Sequence, residues 1–263
     1  MIQNRLYTQL ACFSPITLEE MEKVRLMNRI DTKFITVPQH LYTLLLLMQS
    51  DYLIQEIDLQ RINSYRTLYL DTEEKEMFLA HHNGCKNREK IRVREYVDFG
   101  LNFLEVKQKN NRGRTRKTRM PLPDSNAFKE EQCNAFIRHH ASTLPQQLLP
   151  HVESNYDRIT LVNRQHTERL TIDINLHFRN HRNGKEYSLC EPVIIELKQD
   201  GSQASPVREW LSELGIHPLS VSKYCLGAIL TDPFLKHNRF KPKLMQINKI
   251  TNYAYGNIIG NYK

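Results

Sequence analysis

In the stretch KIRVREY (residues 90–96) a cation stands at every second position, Lys90, Arg92 and Arg94, with Ile91 and Val93 between them. Alternate side chains of an extended strand point to opposite faces, so the three charges share one face and the two apolar residues the other. The layout recurs along the chain. RIDTKF puts Arg29, Asp31 and Lys33 on one face, NFLEVKQK sets Glu105, Lys107 and Lys109 against Leu104 and Val106, and in the basic run RGRTRKTRM Lys117 and Arg119 share a parity. ERLTIDINLHF sends Arg169, Thr171, Asp173 and Asn175 one way and Leu170, Ile172, Ile174 and Leu176 the other. PVIIELKQ sets Glu196 and Lys198 opposite Val193, Ile195 and Leu197.

Cations side by side on neighbouring strands repel unless something answers their charge. Pointing them into solvent, screened over about 8–10 Å, is one answer. The other is a sheet curled into a barrel, with its apolar face outward beneath amphipathic helices and its charged face converging on a polyanion. Such a bore is a multivalent phosphate site. Its few carboxylates, Asp31, Glu105, Asp173 and Glu196, would serve as metal ligands or hold arginines by bidentate pairing.

The elements that carry these residues follow from the same periodicities. Residues 29–37 read as a strand, and Pro38 suits the first turn of a helix bearing Leu41, Leu44, Leu45 and Met48. Strands are expected around residues 52–58 and 62–70, then a helix over about 72–82 ending near Asn83-Gly84. KIRVREY and NFLEVKQK form a hairpin across Asp98-Phe99-Gly100, residues 125–140 look helical, and residues 152–162 look extended. Asn183-Gly184 signals a hairpin between the strand of residues 168–178 and the next. A helix over about 206–214 carries the single Trp210, and Ser222-Lys223-Tyr224 opens or lies within another. Beyond Pro233 the chain turns basic and polar, and an appended, poorly ordered tail is expected.

The 263 residues, 40% of them hydrophobic, suffice for an ordinary buried core, and 37 Lys and Arg against 29 Asp and Glu leave a charge of +8 that favours a polyanionic partner. The longest apolar run, residues 44–48, is far short of the roughly 20 that span a bilayer, and the N-terminus lacks a secretory pattern, so a cytoplasmic location is expected. Cys12, Cys85, Cys133, Cys190 and Cys225 stand singly, without zinc-ligand spacing, and read as reduced, mostly structural thiols. The pairs His81-His82 and His139-His140 read as surface histidines, since helical neighbours diverge by about 100°. No P-loop string occurs.

RIDTKF, RTLYLDT, KIRVREY, FLEVKQK, RTRKTR, YDR, RLTID, IIELK and SKYCLG, in this order from Arg29 to Gly227, resemble the polyphosphate polymerase domain of the vacuolar transporter chaperone complex, within the triphosphate tunnel metalloenzyme superfamily. The resemblance implies an α+β fold with an antiparallel β-tunnel of about eight strands, a single domain over residues 1–232 followed by the basic tail of 233–263. It implies transfer of the terminal phosphoryl group of ATP onto a growing polyphosphate, with Mn²⁺ or Mg²⁺ as cofactor. By position, Lys33, Arg92, Arg94, Lys107, Arg158 and Lys198 become the candidate catalytic cations. Arg29, Arg66, Tyr69, Lys90, Lys109, Lys117, Arg119, Arg169 and Lys223 become candidate phosphate or nucleotide contacts, and Glu196 and Glu105 candidate metal ligands.

The hydrolytic branch of that superfamily opens with Glu-x-Glu-x-Lys, whereas here Arg29-x-Asp31-x-Lys33 replaces one carboxylate with a cation, which weakens a triphosphatase reading. Only 28 residues precede Arg29, so a stand-alone tunnel without the phosphate-sensing domain of eukaryotic members is expected. Two alternatives stay open: a triphosphate or polyphosphate hydrolase with the same tunnel, and a polyanion-binding module without turnover. RNA is not expected as partner, for want of a helix-turn-helix, a zinc finger, or aromatics on adjacent strands.

Overall fold

The computed structural model describes residues 2–23, 29–189, 191–201 and 204–251. In chain order it contains α1 (Ile2–Ala11), β1 (Ser14–Ile16), α2 (Leu18–Lys23), β2 (Arg29–Thr36), α3 (Pro38–Met48), β3 (Tyr52–Gln55), β4 (Asn63–Asp71) and α4 (Glu76–His82). Next come β5 (Arg88–Tyr96), β6 (Leu101–Lys109), β7 (Thr115–Leu122), α5 (Glu131–His140), β8 (Leu149–Asn163) and β9 (Glu168–Asn180). The chain continues with β10 (Glu186–Leu189), β11 (Val193–Asp200), α6 (Pro206–Glu213), α7 (Lys223–Thr231) and α8 (Lys241–Thr251).

One sheet holds every strand, and its main path runs β2-β11-β9-β8-β4-β5-β6-β7. All pairs are antiparallel except β1 with β3. Among the described residues no ladder joins β2 to β7, so the layer is a half-barrel. Its curl is plain from its charges. Lys107 on β6 interacts with Glu196 on β11 and with Lys33 and Asp31 on β2. Laid flat, the six steps from β2 to β6 would span about 29 Å, well beyond the reach of a screened charge.

Apolar periodicity fixes what covers the convex side. On α3, Leu41, Leu44, Leu45 and Met48 recur on one helical face and are buried against Ile159, Leu161, Leu170, Ile172, Ile195 and Leu197. Leu6 and Leu10 of α1 and Val207 and Leu211 of α6 complete that layer. Cys133 and Ile137 of α5 cover Ile91, Val93, Leu104 and Val106, the apolar faces of the β5–β6 hairpin.

The concave side is divided by a bulge. Pairing of β8 with β9 shifts between Asn155 and Asp157, with one extra residue on β9, where Asn175 takes φ +54°. Thr171 and Asp173 face the lumen before it, whereas beyond it Leu176 and Phe178 do. The expected uninterrupted alternation through Leu176 therefore fails at Asn175. With Ile35, Tyr69, Val152 and Ile194, these residues make an apolar floor on which α7 lies. The helix comes so close at Gly227 that a Cβ there would stand 2.5 Å from Cδ1 of Phe178.

Other expectations also change. The strand expected to reach Asp58 stops at Gln55, because Asp58 and Leu59 adopt positive φ. The expected tail forms α8, whose Leu244 and Ile247 are buried in the core around α7; residues 252–263 lie outside the described residues. His82 is buried rather than superficial and stacks on Phe78. Cys12, Cys85, Cys133 and Cys225 are free thiols, the last two buried, while Cys190 lies outside the described residues.

Candidate functional site

The charged half of the lumen is organised around carboxylates that each hold two cations. Asp173 on β9 accepts from Arg158 on β8 through both oxygens, Nε to Oδ1 at 2.6 Å and Nη2 to Oδ2 at 2.9 Å, and Lys223 of α7 also binds Oδ2. Burial opposes the charge on Asp173, but Arg158 and Lys223 overrule it and hold the carboxyl well below its ordinary range. On β6, Glu105 accepts Nε of Arg92 at 2.7 Å and pairs with Nζ of Lys117 at 2.5 Å. Its side chain is 1% exposed, and although burial pushes upward, Arg92, Arg94 and Lys117 bring its pKa to about 2. Glu196 on β11 lies between Lys33 on β2 and Lys198, whose Nζ is 3.2 Å from Oε2, and remains 17% exposed to the lumen.

Against these paired groups stand two that are short of acceptors, Arg94 and the hydroxyl of Tyr156. Arg94 is buried, its Nε reaching only Thr67 Oγ1 at 3.4 Å, and it forms no ion pair among the described residues. Tyr156 is buried beside it, ringed by Arg158, whose guanidinium carbon is 5.3 Å from the ring centre, and by Lys223 Nζ at 4.3 Å. Burial raises the pKa of a phenol, yet Arg94, Arg158 and Lys223 bring Tyr156 down to about 8. Its hydroxyl finds no hydrogen-bond partner among the described residues. Lys90, Lys107 and Lys117 lie directly opposite one another across β5, β6 and β7, a repulsion that Glu105 answers at Lys117 and that a further anion would relieve at the other two.

The first turn of α7 enters this region. Ser222 caps it by accepting from the Cys225 amide, and Lys90 Nζ donates to the same hydroxyl at 2.8 Å. Burial foremost, then Lys107, Arg92 and Arg88, lower the pKa of Lys90 to about 8.

The fold thus gathers Lys33, Lys90, Arg92, Arg94, Lys107, Lys117, Arg158, Lys198, Lys223, Glu105 and Glu196 on the concave face. Lys109 shares that face at the far end of β6. Arg119 lies over Phe103 at 4.7 Å, and Arg29 sits at the rim, paired with Asp31 at 2.7 Å. Arg169 is tied back, Nη2 donating to Met21 O at 2.8 Å. Arg66 does not join them: it shares its parity with Leu68 and Leu70 and pairs outward with Glu95, Nε to Oε2 at 2.6 Å. Tyr69 is buried beneath Arg92 and stacked on Tyr224 at 5.0 Å, a packing position. Glu105, enclosed by Arg92 and Lys117, holds those cations in place. Among the described residues no three His, Cys, Asp or Glu side chains cluster as metal ligands. Glu196, facing the lumen, is the carboxylate that fits a divalent ion, provided that other oxygens come from a ligand.

The residues missed by inspection of the sequence are Tyr65 and Phe103, which lie on strands adjacent to that of Tyr96. Tyr156, Tyr65 and Tyr96 face one another across β8, β4 and β5, and Phe103 follows on β6. The expectation of no such aromatic row is thereby corrected; β8 and β4 pair although some 90 residues separate Tyr65 from Tyr156.

The VTC domain family matches residues 28–231. No curated protein sequence matches the chain. Among solved structures, a candidate adenylate cyclase from Bacillus halodurans is similar at 16% identity, with 74% of this chain and 96% of that one covered and a TM-score of 0.47. A candidate adenylate cyclase from Vibrio parahaemolyticus follows at 10% identity, 77% and 99% coverage and a TM-score of 0.43. A candidate adenylyl cyclase from Hippeastrum, with a dominant triphosphatase activity, shows 12% identity, 75% and 94% coverage and a TM-score of 0.44.

Proposed function

The chain belongs to the VTC domain family, and from that premise we propose that its lumen binds linear phosphate chains and transfers the terminal phosphoryl group of ATP onto them, releasing ADP. One observation carries the reading: the buried Arg94 without an ion pair, beside the buried, unpartnered hydroxyl of Tyr156. A buried cation and a buried donor both need acceptors, and phosphate oxygens satisfy the two together.

In the transfer, an oxygen of the acceptor phosphate bonds to the γ-phosphorus while the bond from that phosphorus to the leaving ADP oxygen breaks. Charge spreads over the three oxygens of the moving group, so positioning and neutralisation do most of the work. Arg92, Arg94 and Arg158 present guanidinium forks, two of them braced by Glu105 and Asp173, and Lys33, Lys107, Lys198 and Lys223 add point charges. Glu196 would hold Mn²⁺ or Mg²⁺, with phosphate oxygens as further ligands; when bound, such an ion polarises the phosphoryl oxygens.

Incubated with ATP and Mn²⁺, the protein is expected to yield ADP and long phosphate chains resolved by electrophoresis. Free phosphate without chains would reassign the site to hydrolysis. Neither product would remove the reading. Arg94→Ala and Glu196→Gln should each slow turnover by roughly tenfold or more while leaving the thermal unfolding midpoint within a few degrees.

Lys90 supplies a pH test. Free protein holds it near a pKa of about 8, and an arriving polyanion restores it toward the ordinary 10.5. Tripolyphosphate binding should therefore take up a proton near pH 8 to 9 and weaken as the pH rises, an uptake measurable by calorimetry in two buffers of different ionisation enthalpy. Lys90→Met should abolish that component. The sign for stability is opposite: between pH 8 and 10.5 the unfolded chain holds more protons at this group, so its contribution to stability rises with pH.

A further inference from the structure

Asp71 of RTLYLDT and Tyr224 of SKYCLG take no part in the phosphate lumen, yet the fold brings these two motif residues together behind it. Asp71 ends β4 with 0% of its surface exposed, and Tyr224, 153 positions further on, donates its hydroxyl to Oδ2. The same carboxylate accepts the amides of Thr72 at 2.8 Å and Met77 at 2.9 Å on Oδ1, and that of Phe78 at 2.9 Å on Oδ2. His151 of β8, also wholly buried, has Nδ1 2.8 Å from the Tyr224 oxygen. Because that oxygen gives its hydrogen to Asp71, Nδ1 is the protonated nitrogen and donates. Nε2 is then a buried acceptor, and it finds no partner among the described residues.

Packing alone does not require this arrangement. Tyr224 belongs to the apolar core around α7 and is stacked on Tyr69 at 5.0 Å; a phenylalanine would fill the same space without a buried carboxylate or an unpartnered nitrogen. What hydrogen bonds add to packing is direction. Ser222 is the N-cap of α7, Lys223 its first residue and Tyr224 its second. Successive helical residues diverge by about 100°, so fixing the Tyr224 hydroxyl against β4 and β8 fixes the rotation of the first turn. That rotation sets where Lys223 meets Asp173 and where Ser222 receives Lys90.

We infer that Asp71, Tyr224 and His151 are positioning residues: touching no phosphate themselves, they hold the first turn of α7 so that Lys223 faces the bound anion. This rests on the lumen being a phosphate site, as proposed above, and names what aims one of its cations.

A double-mutant cycle separates aiming from folding. Tripolyphosphate dissociation constants are measured by calorimetry for the wild type, Tyr224→Phe, Lys223→Met and the double variant, with urea unfolding to confirm that each is folded. Lys223→Met should weaken binding by roughly tenfold. Tyr224→Phe, which keeps the ring, should weaken it by roughly fivefold when Lys223 is present and by less than about twofold when methionine replaces it. An equal loss in the two backgrounds overturns the inference, since a tyrosine that only supports the core would produce it; so does no loss in either. In both cases tripolyphosphate binding by the wild type leaves the lumen reading standing, whereas binding by none of the four proteins overturns both. Should Tyr224→Phe fail to fold, His151→Leu takes its place in the cycle. It removes the unpartnered nitrogen and should weaken binding by roughly threefold, again only with Lys223 present; an effect indifferent to Lys223 overturns the inference.

Discussion

Arg158→Ala is expected to lower turnover by about a hundredfold or more and to cost the fold about 3 kcal/mol. The guanidinium meets both oxygens of Asp173, a carboxylate with 3% of its side chain exposed, so its removal leaves a buried charge half-answered. Lys223 remains on Oδ2, which keeps the loss at the lower end of the 3–5 kcal/mol usual for breaking a buried pair. Asp173→Asn in the Arg158→Ala background should recover part of the stability in urea unfolding, since the orphaned charge disappears. It should recover none of the turnover, because the fork that grips phosphate is still gone. Recovery of both would make Arg158 structural. The pH sense is fixed: the depressed Asp173 carboxyl contributes stability above its ordinary pKa of 3.8 and loses it as acid protonates the folded state. The gap between wild type and Arg158→Ala should therefore narrow below about pH 4.

Gly227→Val should be the most damaging substitution away from the charges. A Cβ at Gly227 would lie 2.5 Å and 2.9 Å from Cδ1 and Cγ of Phe178 and 2.9 Å from Cγ1 of Val152, all in a packed core. Alanine already gains about 1 kcal/mol of helix propensity over glycine, yet overpacking of this kind costs about 1–3 kcal/mol and valine adds further atoms. Helix α7 must lift, and Ser222 and Lys223 lift with it away from Lys90 and Asp173. Loss of several degrees in Tm should thus accompany weaker tripolyphosphate binding. Phe178→Leu should relieve Gly227→Ala in both measurements; a Gly227→Val protein as stable as wild type would show that α7 does not press on the sheet.

The legible and illegible parts of the site differ in kind. KIRVREY announced which of its side chains share a face, and Lys90, Arg92 and Arg94 do share the lumen. Arg66 was misassigned although its signal was present: it has the parity of Leu68 and Leu70, which are covered on the convex side. Glu105 was read as a metal ligand or as a brace for arginines; that Arg92 and Lys117 enclose it depends on neighbours across two strand pairs. On β9 the alternation was right as far as Asp173, and a single left-handed residue, Asn175, then turned the remaining apolar side chains inward to hold α7.

By itself the sequence determined the strand faces, the excess of cations, the helices that cover the convex side and, through nine short motifs, the family. These are local quantities, since a period of two or 3.6 residues is written in consecutive positions. Only the tertiary structure decided which face became the inside, that α7 fills one end of it, and that Tyr156, Tyr65, Tyr96 and Phe103 meet in one band. Those outcomes depend on strand order and curl, which bring β8 against β4 and β6 within reach of β11. They arise from burial of apolar surface over the whole chain, a sum to which no short stretch holds the answer.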